Sequence, residues 1–80
     1  MDLVALTEFL IKSIVKEPEM VSVKQFDDDE VITIQVLVSE SDMGVVIGRG
    51  GKVANAIRTI VQATSYANNL KYVKINIDSF

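Results

Sequence analysis

Eighty residues, 49% of them apolar, make one small domain with a single core, spanning 1–80. There is no Cys and no His, which excludes a disulfide framework, thiolate chemistry and the commonest general base and metal ligand. The net charge is −3, but residues 1–42 carry ten acids and three lysines, whereas residues 43–77 carry Arg49, Lys52, Arg58, Lys71 and Lys74 and no acid. A bipolar chain of this kind can present one basic face despite an acidic isoelectric point. Asp2 and Glu8 interrupt the start of the chain where a targeting segment would be basic, and no apolar run approaches a membrane span. The expectation is a soluble, cytoplasmic protein.

Residues 3–16 read as a helix. Leu3, Leu6, Leu10 and Ile14 form one stripe, widened by Val4, Phe9, Ile11 and Val15. Asp2 can cap its start, Lys12 and Lys16 favour its end, and Pro18 stops it. Residues 20–26 alternate around Val21 and Val23, as a strand does. The acidic run 27–30 is a turn that joins this strand to 31–38 in a hairpin. Residues 31–38 are the strongest strand, with Ile32, Ile34, Val36 and Val38 on one face and Thr33 and Gln35 on the other.

Ser39, Glu40, Ser41 and Asp42 offer caps for a short helix over 42–47. A glycine-rich turn follows, and a longer helix runs from 52 to about 66 on Val53, Ile57, Ile60 and Val61. Asn68 and Asn69 can supply the left-handed geometry that ends it. Residues 71–77 alternate, with Val73, Ile75 and Ile77 inward and Tyr72, Lys74 and Asn76 outward. The order is α-β-β-α-α-β. The last two strands flank a helical crossover and should lie parallel, and the first two should be antiparallel. The fold class is therefore α+β, a three-stranded mixed sheet with helices on one face.

The run Val46-Ile47-Gly48-Arg49-Gly50-Gly51-Lys52 carries the chemistry. Glycines let backbone approach a ligand closely, and a helix opening just after them aims amide donors and a positive dipole end at an anion. Arg49 and Lys52 add two cations, which suits a phosphodiester backbone. The spacing Ile47-Gly48-x-x-Gly51-x-Val53, within residues 42–53, resembles the signature of the KH domain, whose GXXG loop clamps single-stranded nucleic acid. The helix–strand prefix is similar to the type II KH arrangement. With a last strand so close to the end of the chain, the sequence resembles the small bacterial KH-domain RNA-binding proteins of the KhpA (YlqC) family over nearly its whole length.

That resemblance implies a GXXG loop at Gly48, Arg49, Gly50 and Gly51 on the sugar-phosphate backbone, with Lys52 beside it. It implies a groove between the loop helices and the last strand, where Ile47 and Val53 support stacked bases; Ile57 reads better as core. It also implies that the loop between the first two strands walls the groove. Here that loop is 27–30, short and acidic, and it would repel phosphate. No aromatic lies near the glycine loop in sequence, so modest affinity and broad sequence preference are expected. Partners implied are single-stranded RNA, a second copy, or a larger KH-containing protein, in a setting of RNA regulation and cell elongation or division.

Other glycine motifs fail. A P-loop needs Gly at position 46 and Ser or Thr at 53, and both are Val. A dinucleotide fingerprint fails because Val53 stands at its third glycine. The acidic run lacks the ligand spacing of a calcium loop, so it reads as a solvated turn and no metal or cofactor is expected. The serines have no His partner, so no enzyme is expected. The apolar band of the long helix is wider than one packing face needs, and Ile60 is the best single candidate for a dimer contact. The leading expectation is a non-enzymatic single-stranded RNA-binding protein, an RNA chaperone or post-transcriptional regulator. The alternative is a homo- or heterodimerising protein-interaction module with little RNA binding of its own.

Overall fold

The computed structural model describes residues 2–80. Helix α1, Leu3–Lys12, leads through a single 3-10 turn at Pro18–Met20 into strand β1, Ser22–Asp27. Strand β2, Val31–Val38, follows the acidic turn. A second 3-10 turn, Glu40–Asp42, precedes helix α2, Met43–Ile47. The glycine loop forms a third, Arg49–Gly51. Helix α3, Lys52–Ala67, and strand β3, Tyr72–Ser79, complete the fold.

The sheet order is β1-β2-β3. β1 pairs antiparallel with β2, with Val23 opposite Val36. β2 pairs parallel with β3, with Ile34 opposite Ile75. This is the mixed sheet the crossover argument requires. Ile32, Ile34, Val36 and Val38 are all buried beneath the helices. Their alternates Val31, Thr33, Gln35 and Leu37 are only half-buried, so helices cover one face alone. Each of the four buried side chains contributes roughly 1.5–3 kcal/mol, which makes β2 the spine of the domain. Val73 and Ile75 from β3, Ile57 and Val61 from α3, Val46 from α2, and Leu3 and Ile11 from α1 close the core.

The first helix is shorter than its apolar pattern suggests. Asp2 caps it as expected, its Oδ1 accepting from the Val4 N–H at 3.0 Å. It ends at Ser13, whose hydroxyl donates to the Phe9 carbonyl at 2.6 Å. Beyond it the chain is drawn away, because the backbone N–H groups of Lys16 and Glu17 each donate to one oxygen of the Asp42 carboxylate, both at 3.0 Å. The stripe is also rotated. The buried residues are Leu3, Thr7 and Ile11, while Phe9 is 65% exposed and Ile14 lies at the surface. Thr7 tolerates burial because its hydroxyl donates to the Leu3 carbonyl one turn back, at 2.8 Å.

Asp42 therefore does not cap α2. None of its oxygens meets an amide of that helix, and its side chain, 1% exposed, is a clasp between α2 and the exit of α1. At the far end of α3, Asn69 takes the left-handed conformation at φ 59°, while Asn68 stays at φ −96°. The Leu70 N–H reaches back to the Ser65 carbonyl at 2.8 Å, and the buried Ser65 hydroxyl donates to the Lys71 carbonyl at 2.7 Å.

Candidate nucleic-acid interface

The glycine loop is built from the inside outward. Gly48 adopts φ 76° and ψ 169°, and a Cβ there would lie 2.5 Å from Val53 Cγ2 and 2.9 Å from the Val53 amide nitrogen. Only glycine lets the loop lie down on Val53. Gly50 and Gly51 take left-handed conformations at φ 65° and 78°. A Cβ on Gly50 would meet nothing within 4 Å, so the middle of the loop faces open space.

The N–H groups of Gly48, Gly51 and Lys52 already donate to the carbonyls of Gly44, Gly48 and Arg49. Attraction for an anion thus falls to the positive end of α3 and to the charges of Arg49 and Lys52. Both side chains are exposed, and among the described residues neither is paired with a carboxylate. Ile47 and Val53 are half-buried under the loop, and Ile57 is buried at 5%, as core. The seven residues expected at the site, 47–53, run from the end of α2 through the glycine loop into the first turn of α3. The described residues form no enclosed pocket.

Ile60 lies elsewhere. It is 45% exposed on the outer side of α3, with Ala56, Ala63 and Ala67 also exposed. Within the apolar band of α3, Ile57 is buried in the core and Ile60 is exposed.

The acidic turn lies away from the glycine loop. β2 and β3 run parallel, with Val31 beside Tyr72, so the turn sits where β3 begins. Lys71 fixes it there: its Nζ pairs with Asp27 Oδ1 at 2.9 Å and also donates to the Asp28 carbonyl. The glycine loop lies at the opposite end of α3, whose 16 residues span about 24 Å.

One polar feature escaped the sequence reading. Asn55, Arg58 and Gln62 form a stripe along α3 toward β3. Arg58 Nε and Nη2 donate to the Ile75 carbonyl at 3.4 and 3.3 Å, and its Nη1 donates to Asn55 Oδ1 at 3.2 Å. The Val73 N–H donates to Gln62 Oε1 at 2.9 Å. The i, i+3, i+7 spacing of three polar residues beside an apolar face was the available signal.

Strand, short helix, glycine turn, long helix and parallel strand, with a helix–strand prefix, define a KH domain of the type II arrangement. Within that class the chain belongs to the KhpA/KhpB KH-domain family, whose model matches residues 4–77. The RNA-binding protein KhpA of Clostridium perfringens is 44% identical over 68 residues, covering 85% of this chain and 91% of the relative. The RNA-binding protein KhpA of Listeria monocytogenes is 40% identical over 62 residues, covering 78% and 82%. Among solved structures, Era in complex with MgGDPNP and nucleotides 1506–1542 of 16S ribosomal RNA superposes with a TM-score of 0.77. That match is 14% identical and covers 98% of this chain but 30% of the Era chain, so it supports the fold alone. Aquifex aeolicus Era bound to GDP.AlF4- gives 0.76 with the same coverage.

Proposed function

We propose that this protein binds single-stranded RNA without catalysing a reaction, acting in the cytoplasm as an RNA chaperone or post-transcriptional regulator. The observation that carries the reading is the solvent-facing loop Gly48–Arg49–Gly50–Gly51 with two cations free of carboxylate partners at the start of α3. The sugar-phosphate backbone lies against the glycines and is attracted by Arg49 and Lys52. The names of the relatives point the same way, and none of them favours a protein-interaction module with little RNA binding.

Exchanging Arg49 and Gly50 together for Asp tests the site. No neighbour lies within 4 Å of a Cβ at Gly50, so the cost is the left-handed backbone alone, about 1 kcal/mol for Asp. The variant should fold and lose RNA binding in a fluorescence anisotropy titration. Unchanged affinity would remove the loop from the interface.

Self-association belongs to the same proposal. Ile60 and the alanines around it leave an apolar strip on α3 uncovered, which a second copy or the KH domain of a larger partner can cover.

A further inference from the structure

The helices cover one face of the sheet, and the other face is open. Along β3 the open face carries Tyr72, Lys74, Asn76 and Asp78, which stand opposite the half-buried alternates of β2. Phe80 comes next in the same alternation, and its N–H donates to the Val38 carbonyl at 3.1 Å. Tyr72 is 56% exposed and Phe80 62%. Among the described residues neither Lys74 nor Asp78 is in an ion pair. They cannot meet within one chain, because four residues of strand hold them about 13 Å apart.

From Tyr72 to Phe80 the open face of β3 runs aromatic, cation, amide, anion, aromatic. Reversed about Asn76, that order is its own complement. A second copy laid face to face, with its strands antiparallel, sets Lys74 of each copy over Asp78 of the other and Tyr72 over Phe80, while Asn76 meets its twin on the twofold axis. We infer that the open sheet face is a self-complementary contact for a second copy of this chain, separate from the Ile60 strip. RNA fits this face poorly: Asp78 stands on it, and the acidic turn borders it where β1 passes into β2 beside Tyr72. The pairing also sets Lys24, level with Asn76 through Gln35, against its own twin. β1 is an outer strand, however, and Lys24 is exposed, so its long side chain turns past the edge into water. Three short strands make a face of roughly 14 by 26 Å, small for a specific interface, so the contact is weak. The Ile60 strip lies across the helices from it. Both contacts can form at once, and two twofold contacts on one chain join copies into a row.

The contact needs no RNA, so it is tested first without any. The Ile60→Asp background removes the α3 contact. Sedimentation equilibrium from micromolar to millimolar concentration is measured for that parent and for the parent carrying Lys74→Asp, Asp78→Lys or both, each checked for folding by circular dichroism. Lys74 and Asp78 are exposed, so the fold tolerates the exchanges. The parent should dimerise with a Kd in the high-micromolar to millimolar range. Either single reversal sets like charges together at two symmetric places and should weaken the dimer by about tenfold, whereas the double reversal restores opposite charges and should return the Kd to within about twofold of the parent. A labelled U8 RNA octamer, titrated by anisotropy, supplies the second arm. The double reversal keeps the net charge, so its U8 affinity should stay within about twofold of the parent. Four results overturn the inference: a parent that is monomeric at millimolar concentration, a Kd that ignores the single reversals, a loss that the double reversal does not repair, or a large loss of U8 binding in the double reversal, which would assign the face to RNA.

Discussion

Replacing Asp42 by Asn should destabilise the domain strongly while leaving RNA binding nearly intact. The carboxylate is buried and accepts one backbone N–H on each oxygen, from Lys16 and from Glu17. Asn keeps one acceptor oxygen and puts an amino group where the other was. One of the two amides then faces a donor. A hydrogen bond to a charged group is worth about 1.5–3 kcal/mol, and a buried donor left unpaired costs about 1–3 kcal/mol. Both amides are only part-buried, so water relieves some of this, and a loss of roughly 2–3 kcal/mol is expected. A domain of this length holds roughly 4–12 kcal/mol in all, so the loss is a large share. At about 4–8 °C per kcal/mol, the melting temperature should fall by about 10–20 °C in a circular dichroism melt. Asp42→Ala removes both bonds and should be worse still. At a temperature where Asp42→Asn is folded, RNA affinity should stay within about twofold of wild type, because the loop is shaped by Gly48 against Val53. A shift under about 3 °C would refute the clasp.

Gly48→Ala should cost about 3 kcal/mol or more, read by urea denaturation, because strain at a positive φ adds to the clash with Val53; wild-type stability would contradict the loop geometry. Wild-type affinity for U8 should fall with salt at a log–log slope of roughly −2 for about three cations, and a flat response would place binding away from the phosphates. Ile60→Asp should remain folded, since Ile60 is exposed, and should convert any dimer seen by light scattering at low-micromolar concentration to monomer; a wild type that is monomeric at millimolar concentration removes the proposed contact. Changing Asp28 and Asp29 to Asn should alter RNA affinity by less than about twofold at 150 mM salt, and a larger rise would mean that RNA reaches the acidic turn.

The strands and the long helix were legible because their apolar periods are strict and their ends punctuated. Val31–Val38 and the start of α3 at Lys52 follow from alternation and from the glycine run. The glycine run 47–53 was legible as a candidate site because its residues are contiguous in sequence. Contacts between distant segments were not. Nothing local to Asp42 says that its partners are amides 25 and 26 positions away, so it reads as a helix cap. The same clasp explains why α1 ends before its apolar pattern does. The Arg58 contact has the same character, since its partner is a backbone carbonyl 17 positions on and no side-chain pattern marks a carbonyl.

The acidic turn shows why charge must be placed before it is weighed. Along the chain, the turn at 27–30 and the loop at 48–51 are separated by a strand, a short turn and a short helix. In space they lie at opposite ends of α3, because a parallel crossover returns the chain to the start of the strand it left. The separation of about 24 Å is some three screening lengths at physiological ionic strength. Four carboxylates at that distance exert little force on a phosphate at the loop, and Lys71 partly offsets them where they stand. A net charge of −3 is thus the sum of two poles that act separately. The pole proposed to meet RNA carries Arg49 and Lys52, with no acid in the first turn of α3.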